Sequence, residues 1–439
     1  MVEQLPFKEK VEGSNPSGRT TEPSLRKGGL ILKMKKLDKK LDNFLEENFE
    51  EACSFLQKLV QTNSSNPSTP ENSQPDDPIE LGVAQKINEK LSKIGFNPSF
   101  KGVSKERPNV VCEIGNSKGP SLILNGHMDT VIPSENYSFD PFSGRIKDGK
   151  LYGVGSADMK ASLVSFIYVA KAIKSLGLDL NGKLTLTFVV DEEPGGCSDY
   201  GTKFLLKNGL SGDGAIVAEP GINKIAIGHR GGYRFKMTTF GESVHTGISD
   251  WEKKKRGENA IEAMAEAIEA LRGLEIDFNP SSTFPGNKPV FTFPTKIKGG
   301  SAINIVPEKC EAYGDVRLLP GSNGGDVRKK MENKLDKKNI KYKIEDITSV
   351  PAIETSPKKR IVKTLSKNYR EVVDKKPVKK GCGPWNDGWM FHERNIPVIC
   401  GFGPSGENIH SADEFVYLDS FKKATKIYLK TVIDYLEAS

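Results

Sequence analysis

The stretch Ser121-Leu122-Ile123-Leu124-Asn125-Gly126-His127-Met128-Asp129 sets the pattern for the fold. Leu122 to Leu124 is a short, unbroken apolar run, the signature of a strand covered on both faces. It ends in a glycine, a histidine and an acid. Working outward, the same design recurs. The run Lys183–Val190 ends in Asp191-Glu192-Glu193, and Ala215–Val217 ends in Ala218-Glu219-Pro220. Val110–Ile114 is a further apolar run, and Met159–Leu176 reads as a helix between two of these strands. Such alternation predicts an α/β fold, a mainly parallel sheet with flanking helices.

Open sheets of this kind place ligands beyond the carboxyl ends of their strands. His127, Glu192 or Glu193, and Glu219 all fall there. A strand at Val398–Phe402 adds a glycine-rich loop and then His410, and Asp158 comes from the Gly153-Val154-Gly155-Ser156-Ala157-Asp158 turn. Two imidazoles and three carboxylates suit zinc. Asp158, Glu193 and Glu219 nearly balance two divalent cations, which avoids uncompensated buried charge. A metal pair also activates water and clamps a carbonyl oxygen. Glu192 and Glu193 are neighbours and point opposite ways on an extended chain. One can therefore hold metal while the other takes the proton from water. Each residue alone has a plainer reading, as a loop histidine, an N-cap aspartate or a solvated acid. Those readings would have to hold at five places along one sheet edge, so the metal reading is preferred.

Around this core, Leu37–Val60 has amphipathic helical spacing and Ile79–Gly95 a second helix ended by glycine. The texture changes near Asn223. A strand over Ile225–Phe240 precedes a helix at Glu258–Leu271 and strands at Pro289–Lys298 and Cys310–Leu318. A helix at Val327–Leu335 and a strand at Lys341–Ile347 follow. This β-α-β-β-α-β order is ferredoxin-like α+β, and Ile361–Val373 then resumes as helix. At 439 residues the chain exceeds one core. The expected organisation is a catalytic domain in two parts, 34–223 and 350–439, interrupted by an inserted lid at 224–349. Residues 1–33 lack periodicity and read as a disordered leader. Its Gly13-Ser14-Asn15-Pro16 matches a translated transfer-RNA T-arm, and Met34 offers a later start.

Composition narrows the function. The net charge is +7, but residues 1–40 hold ten Lys and Arg against five Asp and Glu, leaving +2 on the rest. No basic stripe for nucleic acid is expected. The six cysteines form no C-x-x-C pair, as in a reduced cytosolic protein. Neither a secretory signal nor a membrane span is legible, so a cytoplasmic location is expected. Gly153-x-Gly155 has Asp158 where a dinucleotide fingerprint needs glycine, and neither a P-loop nor a G-x-S-x-G elbow occurs. His392 reads as a surface or packing residue of a helix.

Five motifs together resemble the acetylornithine deacetylase and succinyl-diaminopimelate desuccinylase family of di-zinc amide hydrolases and peptidases. They are Gly126-His127-Met128-Asp129, Gly155-Ser156-Ala157-Asp158-Met159-Lys160, Asp191-Glu192-Glu193-Pro194, Glu219-Pro220 and His410-Ser411-Ala412-Asp413-Glu414. The resemblance runs from about residue 41 to the end. It implies that His127 and Glu219 hold one metal, Glu193 and His410 the other, and that Asp158 bridges them. Asp129 would orient His127, and Glu192 would be the general base. It implies a lid that also dimerises, with His245 of Ser243-Val244-His245-Thr246-Gly247 reaching the partner's site to stabilise the oxyanion. Asn304 and Arg317 resemble substrate anchors, and Arg230, in His229-Arg230-Gly231-Gly232, is the other cationic candidate. One loop departs from the pattern: many relatives have Gly-Gly-Thr-x-Asp where this chain has Gly383-Pro384-Trp385-Asn386-Asp387-Gly388.

The implied activity is deacylation of an N-acyl amino acid by a soluble homodimer with two zinc ions, cobalt being the alternative metal. A metallo-carboxypeptidase or dipeptidase acting on short peptides with the same site is the second reading. A non-catalytic metal-binding relative is the distant one, and an intact Glu192 argues against it.

Overall fold

The computed structural model describes residues 35–67, 74–193 and 199–438, and the backbone alone over 23–34. The chain divides into two compact units, Met1–Glu46 and Glu47–Ser439, and the site belongs to the second. The first helix runs over Pro23–Val60, not from Leu37. Proline is tolerated in a first helical turn, where no N–H partner is needed. Part of the expected leader, 23–33, is therefore helical, while 1–22 lie outside the described residues. Ala52, Phe55, Leu56 and Leu59 form the buried stripe of the helix within the second unit.

The central sheet has six strands in the order Ser99–Lys101, Asn109–Gly115, Lys183–Val189, Ser121–His127, Gly214–Val217, Val398–Ile399. The first two pairings are antiparallel and the other three parallel. The four parallel strands are buried along almost their whole length, as their continuous apolar runs require. Helix Ala161–Ser175 is apolar nearly all round because it packs on Ser121–His127 and against the last helix, Leu418–Tyr435. Gly126 makes that approach possible. A Cβ there would lie 2.6 Å from Met159 Cε and 2.8 Å from Leu163 Cδ2.

The last parallel strand is shorter than the expected Val398–Phe402. Cys400 donates to the Ala226 carbonyl at 2.7 Å, and Ala226 donates to the Gly401 carbonyl at 2.9 Å, so the chain leaves the sheet for another partner. The strand expected over Ile225–Phe240 is two strands in different sheets. Lys224–His229 pairs antiparallel with Ile353–Glu354 and parallel with Val378–Cys382. Gly231–Phe240 belongs to a four-stranded antiparallel sheet, and the switch falls at Arg230, whose N–H meets the Cys382 carbonyl at 3.1 Å.

That second sheet has the order Val290–Gly299, Lys309–Leu318, Gly231–Phe240, Tyr342–Val350. With helices Ala260–Leu271 and Gly324–Leu335 it forms the expected ferredoxin-like arrangement. Asn259 caps the first helix by accepting from Ile261 and Glu262, and Asn323 caps the second by accepting from Asp326. One sheet face supplies Tyr233, Phe235 and Met237 to a core with Met264, Leu271, Val327 and Met331. The other face carries Gly232, Arg234 and Lys236. Among the described residues no helix is long and apolar enough to cross a membrane.

Phe235 is fully buried and stacks on Tyr233, Phe291 and Phe293. Phe235→Ala is expected to cost about 3–5 kcal/mol, the usual range for an emptied aromatic site. Denaturant unfolding followed by circular dichroism measures this; a loss below about 1 kcal/mol would mean that the ring is not part of a closed core.

Candidate active site

The parallel strands deliver their polar residues to one edge. His127 is the last residue of its strand and is 2 % exposed. Its Nδ1 lies 3.0 Å from the Asp129 carbonyl and 3.6 Å from the Asp129 carboxylate. Its Nε2 lies 3.3 Å from Asp158 Oδ1. His410 sits in the loop before Phe415–Tyr417 with φ of 59°, and its Nε2 is 2.7 Å from Glu193 Oε1 and 3.2 Å from Asp158 Oδ2. Asp158 thus presents one carboxylate oxygen to each imidazole. Ligand atoms of His127, Asp158 and Glu193 all lie within 4.8 Å of one another.

Three networks hold these groups. The Glu414 carboxylate accepts the backbone N–H of Gly155 at 2.8 Å, Ala157 at 2.9 Å and Asp158 at 3.0 Å, fixing the turn that carries Asp158. The Asp129 carboxylate accepts from Asn66 at 2.9 Å and from the N–H groups of Glu193 and Glu192 at 2.8 and 3.2 Å. Its main contacts are therefore with the glutamate loop. Behind that loop Arg107, fully buried, donates to both oxygens of Glu80 and, at 3.0 Å, to Asp191 Oδ1. Pro194 to Ser198 lie outside the described residues.

The electrostatics are lopsided. Burial pushes Glu192 and Glu219 well above the usual carboxylate range, and it raises Glu193 as well. It takes Asp387 up to about 6. Burial opposes charge on His127, yet Asp129 and Asp158 hold its pKa well above the usual value. Asp158 and Glu193 push His410 up to about 10. Two imidazolium charges do not neutralise this many acids. Asp158 Oδ1 is buried without an aligned hydrogen-bond donor, His127 being at ion-pair distance only. An N/O donor set with a carboxylate oxygen left unbonded and an excess of negative charge fits a divalent cation.

A cavity of about 470 Å³ opens on this cluster, lined by Asp158, Glu192, Glu193, Glu219 and His410. Among the described residues the Glu192 carboxyl makes no hydrogen bond, and its N–H is held by Asp129. Of the three expected anchors, Arg317 lines this cavity. Arg230 lines an adjoining cavity of about 440 Å³ that shares Arg317, Cys382 and Pro384 with the first. Asn304 lines neither. Its amide nitrogen lies 3.2 Å from His245 Nε2, and both residues are exposed on the lid, away from the acid cluster of their own chain. His392 is exposed on a short helix and lines neither cavity.

Sequence reasoning passed over Glu80, Arg107 and Arg234; it quoted Glu414 only as part of a motif and Trp385 as part of the departing loop near the substrate. Arg234 had a signal, the two-residue alternation Gly232, Arg234, Lys236 between the buried Tyr233, Phe235 and Met237.

A mainly parallel sheet thus carries a histidine–carboxylate cluster at its carboxyl edge and is accompanied by a ferredoxin-like unit. The profile of Peptidase family M20/M25/M40 matches residues 123–434, and the chain belongs to that family. It is 27% identical over 429 residues to N-formyl-4-amino-5-aminomethyl-2-methylpyrimidine deformylase of Bacillus subtilis, covering 90% of this chain and 97% of that one. It is 28% identical over 379 residues to succinyl-diaminopimelate desuccinylase of Pelagibacter ubique, covering 82% and 94%. A tripeptidase of Staphylococcus aureus has the same fold, with a TM-score of 0.70 at 20% identity over 89% of this chain and 99% of that one. The protein is a hydrolase whose relatives act on amide bonds as deacylases and peptidases.

Arg107→Met would leave Glu80 and Asp191 buried without their counter-ion. It should cost about 3–5 kcal/mol, as the breaking of buried ion pairs does. Arg107→Met/Glu80→Met should recover part of that loss in denaturant unfolding, and a single variant as stable as wild type would count against the network.

Proposed function

We propose that the protein is a deacylase that hydrolyses the amide bond of N-acyl amino acids with two zinc ions. The observation that carries this reading is the shared carboxylate: Asp158 offers Oδ1 to His127 and Oδ2 to His410, and Glu192, whose carboxyl makes no hydrogen bond among the described residues, lines the same cavity. His127 and Glu219 would hold one ion, Glu193 and His410 the other, and Asp158 would join them. When bound, the pair supplies Lewis acidity that makes water a nucleophile at neutral pH and polarises a carbonyl. The chain's own residues do the rest. Glu192, whose pKa burial raises well above the usual carboxylate range, takes the proton from the attacking water and returns it to the leaving amine. Asp129 fixes Glu192 and Glu193 through their N–H groups, so that the two carboxylates keep separate roles. Arg317, in the cavity, suits a substrate carboxylate, because a guanidinium pairs with one through two parallel hydrogen bonds. The deacylase reading is favoured because both relatives above are named for removing an acyl group.

Chelation should abolish hydrolysis, and added zinc or cobalt should restore it; activity persisting in metal-stripped protein sinks the mechanism. Glu192→Gln should lower kcat by roughly 10²–10⁴ with metal content unchanged. Glu193→Gln should lose metal, measured by elemental analysis, and the reverse pattern would exchange the two roles. The assignment of substrate rests on a panel of N-acetyl and N-succinyl amino acids, dipeptides and an N-formyl aminopyrimidine. N-acyl amino acids should lead. Leading dipeptides would make the protein a dipeptidase, and a leading uncharged amide would remove the carboxylate from the argument.

His245 and Asn304, exposed together on the lid, would complete the site of a partner subunit in a homodimer. Mixing Glu192→Gln with His245→Ala subunits, each inactive alone, should then restore some activity, since hybrids contain one intact site. No recovery despite demonstrated subunit exchange would confine His245 to its own chain.

A further inference from the structure

Beside Arg317 the same cavity has a second arginine, Arg234, that the hydrolytic reading does not use. In the lid sheet Arg234 stands opposite Asp315, and Arg317 opposite Gly232. Side chains alternate along strands, so these four residues share one face, the one turned away from the lid core. Asp315 divides its carboxylate between the two arginines, accepting Arg317 Nε on Oδ1 at 2.7 Å and Arg234 Nε on Oδ2 at 3.1 Å. Both guanidinium carbons lie 4.8 Å from the centre of the Trp385 ring. That ring occupies the space above Gly232, where a Cβ would come within 2.1 Å of its Cζ3. Each guanidinium is thus fixed twice, through its Nε and through the indole. Among the described residues the remaining guanidinium donors have no partner. Both arginines line the cavity that contains Glu192, Glu193 and Glu219.

We propose that Arg234 and Arg317 form a two-guanidinium clamp for one carboxylate of the substrate, with Trp385 and Asp315 as its positioning residues. Asp315 cancels one of the two charges, so the clamp keeps one positive charge, the complement of one carboxylate. Fixing planar donors in advance lowers the entropic cost of binding and favours a planar, two-oxygen anion over a point charge. Trp385 does this from the loop where the chain departs from its relatives' pattern, which makes that loop an element of substrate choice. The inference rests on the deacylase reading for the identity of the carboxylate.

The test uses the full-length zinc-loaded protein with N-acetyl-L-alanine and N-acetyl-L-alanine amide, comparing the two kcat/KM values as a ratio of acid to amide. Arg234→Ala should lower that ratio about ten- to a hundredfold, chiefly through KM, in keeping with a lost charge-assisted hydrogen bond. Arg234→Lys should recover little of it. Trp385→Leu should lower the ratio, and Trp385→Phe should largely keep it. If Arg234→Ala damages acid and amide equally, the cluster only joins the lid to the loop and the proposal is overturned. A second arm is independent of catalysis: succinate and succinamide are titrated against the tryptophan fluorescence of wild type, Trp385→Phe and Arg234→Ala. Should no N-acyl amino acid be cleaved, the deacylase reading fails, and the clamp is judged by this arm alone. Preference for succinate that disappears in Arg234→Ala supports it. Equal affinity for succinate and succinamide in wild type overturns it.

Discussion

Asp158, Glu192, Glu193, Glu219 and Asp387 crowd one end of a buried sheet around the imidazoles of His127 and His410, and that concentration of like charge constrains everything around it. Elsewhere nearby, each buried acid has its own donors. Glu414 takes three backbone N–H groups, Asp129 takes two and an asparagine, and Asp191 takes Arg107. Those acids serve as struts. Among the described residues Glu192 and Glu219 have no such donor, and burial holds both well above the usual carboxylate range.

Much of this was legible because it is encoded locally. Each parallel strand writes its burial as a continuous apolar run, and its polar residue follows within a few positions. His127, Glu193 and Glu219 could therefore be placed at one edge from sequence, and His410 with them. The lid helices and strands were readable from their periods of 3.6 and 2, and the order of elements then fixed the ferredoxin-like topology.

What escaped was written over distance. Arg107 reads as a charge in a solvated Ser/Lys loop, since Glu80 and Asp191 lie 27 and 84 residues away. The break at Arg230 is invisible in an apolar run that continues on both sides of it. It exists because Lys224–His229 has partners at residues 353–354 and 378–382, whereas Gly231–Phe240 has others. Asn304 was expected as a substrate anchor, yet it lies beside His245 and does not line the cavity.

The loop Gly383 to Gly388 has two halves with different surroundings. Its inner half is bound into the core: Asp387 accepts from Thr202, and Asn386 donates to the Cys400 carbonyl. Gly401, next to Cys400, packs on Glu219: a Cβ there would lie 3.2 Å from Glu219 Cβ. Its outer half contributes Pro384 and Trp385 to the cavity wall, where a change of side chain alters the surface a substrate meets and leaves the acids in place. Trp385 goes further, because it packs on the lid at Gly232 and beneath two arginines. One residue thereby ties the position of the lid to the shape of the cavity. On the proposed clamp, a change of side chain at Trp385 would alter selectivity and leave the acids of the cluster in place.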